Sequence, residues 1–102
     1  MTPLRLTQTG EYDAAFEVVL EADGQFSIER VGYVTAGRRF GTLTARQARG
    51  LEVLAATVDL EGEYILEGAV RSRLEVGGHV LEWAGPPPTP ALRALTTALA
   101  RL

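Results

Sequence analysis

The chain has 102 residues, with 10 basic against 13 acidic side chains, a formal net charge of −3, and no cysteine. Every basic residue is an arginine and they are scattered from Arg5 to Arg101, which argues against a nucleic-acid reader with its clustered basic stripe. The absence of Cys removes disulfide frameworks, thiolate metal sites and cysteine nucleophiles together.

A chain of this length folds around one core, burying roughly 65% of the surface its unfolded form exposes. No apolar run approaches the roughly 18 residues of a membrane span. The start, Met1-Thr2-Pro3-Leu4-Arg5, lacks the basic-then-apolar pattern of an export signal. The expectation is one cytoplasmic domain over residues 1–102.

Leu4 and Leu6 alternate with Arg5 and Thr7, which predicts a short strand over 3–8 closed by Gly10. Its shortness suggests a sheet edge. From Ala14 to Glu21 the pattern is strand again, with Phe16, Val18 and Leu20 on one face. A three-residue loop with Gly24 in the left-handed conformation then pairs Leu20 with Phe26 and Val18 with Ile28, whereas a two-residue turn would set Glu21 against Phe26. Past Ile28 the apolar parity slips to Val31 and Tyr33, and one inserted residue at Glu29 or Arg30 would restore it, as in a β-bulge. Residues 36–43 fit either short strands or a long loop.

Thr44-Ala45-Arg46-Gln47 has the form of a capping box. A helix follows to about Asp59, with Ala48, Leu51, Leu54, Ala55 and Val58 as its apolar stripe and Arg46, Arg49 and Glu52 toward water. Gly50 inside it suggests close packing against the sheet. Residues Glu63 to Ala84 read as a hairpin around Gly77 and Gly78, both free to take positive φ. Its register sets Val76 opposite His79, Leu74 opposite Leu81 and Ser72 opposite Trp83 on an oily face, with Glu75 opposite Val80 and Arg73 opposite Glu82 on a charged one. After the proline run at 86–88, Thr89 caps and Pro90 starts a second helix, in which Leu92, Leu95, Leu99 and Leu102 form one stripe.

The order is β-ββ-α-ββ-α. Each helix has one apolar stripe and each hairpin one apolar face. This predicts an α+β fold, an antiparallel sheet of four to five strands with both helices packed on the same face.

Candidate chemistry is sparse. His79 is the only histidine, stands beside a glycine turn and has no evident nucleophile or orienting carboxylate. No spacing of carboxylates and histidine suggests a metal site, no glycine-rich loop joins a strand to a helix as a phosphate cradle, and no cofactor is implied. Glu11, Asp13, Glu17, Glu21 and Asp23 make the early hairpin acidic, read as a solvated face or a surface that steers toward a basic partner. Arg71 and Arg73 are expected to pair with Glu67, Glu75 and Glu82. Among the aromatic residues Tyr12, Tyr33, Tyr64 and Trp83, Trp83 is placed inward by the register. Tyr12 lies outside any strand alternation, in the loop Thr9-Gly10-Glu11-Tyr12-Asp13, and is the leading candidate for a contact residue.

A short first strand, the loop Thr9-Gly10-Glu11-Tyr12, a long strand, a capped helix beginning Leu43-Thr44-Ala45-Arg46-Gln47, a late glycine-turn hairpin and a leucine-spaced terminal helix together resemble the emfourin-type proteins. These are small bacterial proteins associated with thermolysin-like metallopeptidases, and the characterised kind inhibits the peptidase. Where the family carries a Gly-Gly-Phe type loop, this chain has Gly10-Glu11-Tyr12. The resemblance implies a non-enzymatic inhibitor that occludes the peptidase cleft with Gly10, Glu11, Tyr12 and Asp13. The alternative is a homodimerising accessory or scaffold domain, self-complementary through the strand near Leu4 or through the outward Val53 and Val80.

Overall fold

A computed structural model describes residues 1–10, 14–32 and 36–102. Six strands form one antiparallel sheet: β1 (Leu4–Thr9), β2 (Ala15–Leu20), β3 (Gln25–Val31), β4 (Ala36–Thr42), β5 (Arg71–Val76) and β6 (His79–Ala84). The helices are α1 (Ala45–Ala56), between β4 and β5, and α2 (Pro90–Ala100), after β6. The spatial order is β4-β3-β2-β1-β5-β6.

The α+β class and the two helices agree with the sequence, but the sheet has six strands where four to five are expected. The additional strand is β4, which pairs with β3 in the register Phe26↔Gly41 and Ile28↔Arg39. Its positions on the covered side of the sheet are Gly37, Arg39 and Gly41, so the alternation that identifies a half-buried strand is missing. Backbone pairing holds it, together with the Phe26 ring, which lies where a methyl on Gly41 would stand.

The first strand is not an edge. β1 pairs with β2 on one side (Leu4↔Leu20) and with β5 on the other (Leu4↔Val76). Alternation in a strand reports which face is apolar and is silent on how many neighbours the strand has. This removes the strand near Leu4 as a free surface for a second copy.

The β2–β3 turn follows expectation. Leu20 pairs with Phe26 and Val18 with Ile28, and Gly24 takes φ 89°. No bulge follows, because the register continues unbroken through Arg30↔Phe16 to Val31↔Ala15. Val31 therefore points to the open face. Arg30 falls on the covered side, where its guanidinium lies 4.5 Å from the centre of the Phe16 ring.

The late hairpin has the expected pairs throughout, from Val76↔His79 to Ser72↔Trp83. It is shorter than expected, beginning at Arg71 and not at Glu63. Residues 63–70 are irregular and touch the sheet through two hydrogen bonds, Ala84 N–H to Ile65 O at 2.9 Å and Gly85 N–H to Val70 O at 2.8 Å. Only the first of the two turn glycines, Gly77 at φ 58°, takes a positive φ.

The core lies between the helices and one face of the sheet. Leu4, Leu6, Val18, Leu20, Leu74 and Trp83 meet Leu51, Val58, Leu92, Leu95 and Leu99 there. Thr44 caps α1 with the full capping box: its hydroxyl accepts from Gln47 N–H at 3.1 Å, and the Gln47 side chain accepts from Thr44 N–H at 2.9 Å. The α1 helix ends at Ala56, one turn earlier than expected, although Val58 is still buried. Thr89 caps α2 by accepting from Leu92 N–H at 3.2 Å. Gly50 does not approach the sheet; it is exposed, with open space where a Cβ would be. Among the described residues the Trp83 indole N–H is the one buried side-chain donor without a partner. Such a group costs about 1–3 kcal/mol, which the burial of so large a ring offsets.

Candidate functional site

The two middle strands of the sheet, β1 and β2, are joined by the loop 10–14. Gly10 N–H donates to Ala14 O at 2.8 Å directly beyond the last ladder pair, Thr9↔Ala15, so the loop is closed at its base. Of the four expected contact residues, Gly10 is placed here. Glu11, Tyr12 and Asp13 lie outside the described residues, as does Tyr33.

Beside Gly10 runs the segment 65–70, tied to the end of β6 by the two hydrogen bonds above. A Cβ built on Gly10 would come within 4.0 Å of Val70 Cγ2 and 3.7 Å of Ala14 Cβ, both ordinary contacts. Around this end of the sheet Val31, Ile65, Leu66 and Val70 are exposed, Ile65 to 76%. Ile65, Leu66 and Val70 belong to one six-residue segment, and exposed aliphatic side chains close together mark a contact surface more often than scattered ones do. The covered face also changes character toward this end, where the Gln8 amide donates to Ser72 Oγ at 3.1 Å.

The other candidates are dispersed. Glu17 pairs with Arg5 at 2.9 Å on the open face of the sheet. Asp23 serves its own turn, accepting from Gln25 N–H at 3.0 Å. Glu21 and Asp23 lie at the opposite end of β2 from Gly10, so the early acids form no cleft among the described residues. His79 is exposed at the β5–β6 turn, also at the far end. Among the described residues no three His, Cys, Asp or Glu side chains gather as a metal site would require. Among the described residues no helix is long and apolar enough to cross a membrane.

The open face is a lattice of charge pairs within and between strands. Arg73 reaches Glu75 at 3.3 Å and Glu82 at 3.8 Å, as expected, and Arg38 of β4 pairs with Glu29 of β3. Arg71 has no ion pair among the described residues. The hydrogen bond from Arg5 to Glu17, and then the charge of Glu17, raise the Arg5 guanidinium above its ordinary value, and Glu29 does the same for Arg38. Arginine is already protonated at any ordinary pH, so the lattice keeps its cations throughout. Phe40 stands on this face 70% exposed, with the Arg38 guanidinium 5.9 Å from its ring centre.

Sequence reasoning passed over an apolar groove of about 910 Å³ between α1 and α2. Its signal was present in the outward Val53, one turn from Arg49 and two from Arg46, but the third arginine at its rim, Arg101, comes from α2 and is brought there only by the fold.

These features define the chain as a small α+β domain with a closed loop at the middle of one sheet end and an apolar flank beside it. No protein-family model matches the chain, and no curated protein matches it.

Proposed function

We propose that the chain is a non-enzymatic binding domain that inhibits a thermolysin-type metallopeptidase, entering the cleft with the loop Gly10-Glu11-Tyr12-Asp13. The observation that carries this reading is the placement of that loop's base between the two middle strands of a six-stranded sheet, closed by Gly10 N–H to Ala14 O and flanked by Val70. A loop anchored on paired strands loses little conformational freedom on binding, so more of its contact energy remains as affinity. The resemblance in element order to emfourin-type proteins supports the choice of partner. Tyr12 would supply the aromatic anchor, Glu11 and Asp13 the acidic groups toward the enzyme's metal or basic residues, and Val70 the apolar rim.

The test is a titration of a thermolysin-type metallopeptidase with the intact chain, following hydrolysis of a small peptide while the mass of the inhibitor is monitored. Stoichiometric loss of activity with the chain uncleaved is expected. Replacing Glu11→Ala and Tyr12→Ala together is expected to raise the inhibition constant by at least about 30-fold, the loss of one anchor residue. Gly10→Ala should leave the fold in place, since its Cβ meets only ordinary contacts within the chain. An unchanged inhibition constant in the double variant would overturn the loop assignment, and no inhibition by the parent chain would overturn the function.

A further inference from the structure

The groove between the helices has a floor of Val53, Leu54 and Leu102 and a rim of Arg46, Arg49 and Arg101, with no acidic side chain in its lining. Val53 is 61% exposed. None of the three arginines forms an ion pair among the described residues, although the chain as a whole carries a net charge of −3. The groove lies on the β4 side of the molecule, where Arg101 and Leu102 stand beside Arg38 and Arg39.

The opposite side carries the counterpart. The segment Glu61 to Glu67 is held against the end of β6 at Ile65. It presents exposed Ile65 and Leu66 among Glu61, Glu63 and Glu67, which likewise have no ion pair among the described residues. β4 and β6 are the two edges of the sheet. One chain thus bears an apolar groove with three cations on one edge and an apolar ridge with three anions on the other.

We infer that copies of this chain associate head to tail, the segment Glu61–Glu67 of one copy seated in the α1–α2 groove of the next. The contact is heterologous, so it propagates as an open chain or closes as a ring and does not stop at a symmetric dimer. Because opposite charges frame the contact, it is expected to weaken as salt is added. This inference does not depend on the peptidase reading.

Sedimentation velocity over a concentration series at low salt tests it, with two charge-reversed variants: Arg46→Glu with Arg49→Glu in the groove, and Glu63→Arg with Glu67→Arg in the segment. All four positions are exposed, so circular dichroism should show the fold unchanged. The parent chain is expected to gain mass progressively beyond the dimer. Each variant alone should stay monomeric, its association weakened at least about 10-fold by like-charge contact. An equimolar mixture of the two should associate again, because every junction between unlike copies is then complementary. The proposal is overturned by a parent chain that remains monomeric to about 1 mM, by association that stops at a dimer, by a variant that associates like the parent, or by a mixture that stays monomeric.

Discussion

On the covered face of the sheet Leu6, Leu20, Leu74 and Trp83 are almost inaccessible and pack with Leu92, Leu95 and Leu99 of α2, whereas on the open face Arg5, Glu17, Arg73 and Glu75 pair in contact with water. The residues alternate along the same strands, yet the two sets contribute very differently. Burial of an aliphatic side chain removes it from water entirely, while an exposed ion pair exchanges one set of polar partners for another. The fold therefore rests on one face. The open face, the sheet end at Gly10 and the outer side of the helices are left to carry contacts.

Three substitutions measure that division. Leu74→Ala removes a fully buried side chain at the centre of the covered face and should cost about 2–5 kcal/mol in urea unfolding. Thr44→Ala, which leaves the Gln47 N–H without its hydroxyl acceptor while the backbone N–H at position 44 still donates to the Gln47 side chain, should cost about 1 kcal/mol by the same measurement. Arg5→Ala on the open face should shift the unfolding midpoint least of the three, and its coupling to Glu17 in a double-mutant cycle should shrink as salt is added. If Arg5→Ala matched Leu74→Ala, the contrast between the faces would be wrong.

The sequence was most legible where local chemistry and period agree. In β5 and β6 strict alternation around two glycines fixed every cross-strand pair, and in β2 and β3 the requirement that Leu20 face Phe26 selected the loop length. Both helix caps could be read from Thr44 with Gln47 and from Thr89 with Pro90. The failures have physical causes. β4 carries Gly37, Arg39 and Gly41 where apolar residues would have revealed it. Ile65, Leu66 and Val70 resemble a strand in composition, but they lie exposed in irregular backbone, so apolar content alone misled. The central position of β1 depends on β5 returning to its free side, a tertiary fact with no local signature. Part of the candidate site shared that fate: Gly10 could be picked from its glycine-aromatic loop, but its place at the middle of the sheet end could not. Val70 as its neighbour was equally invisible, because 60 residues separate the two.

The central claim is that partner contact is made at the Gly10 end of the sheet. Amide chemical-shift mapping of the isotopically labelled chain, on addition of an unlabelled thermolysin-type metallopeptidase, tests it most directly. Perturbations concentrated at Gly10, Ala14, Val70 and Gly85, with α1 and the β5–β6 turn at Gly77 unmoved, are the expected result. Perturbations centred on α1 and α2, or none with the peptidase in excess, would contradict it.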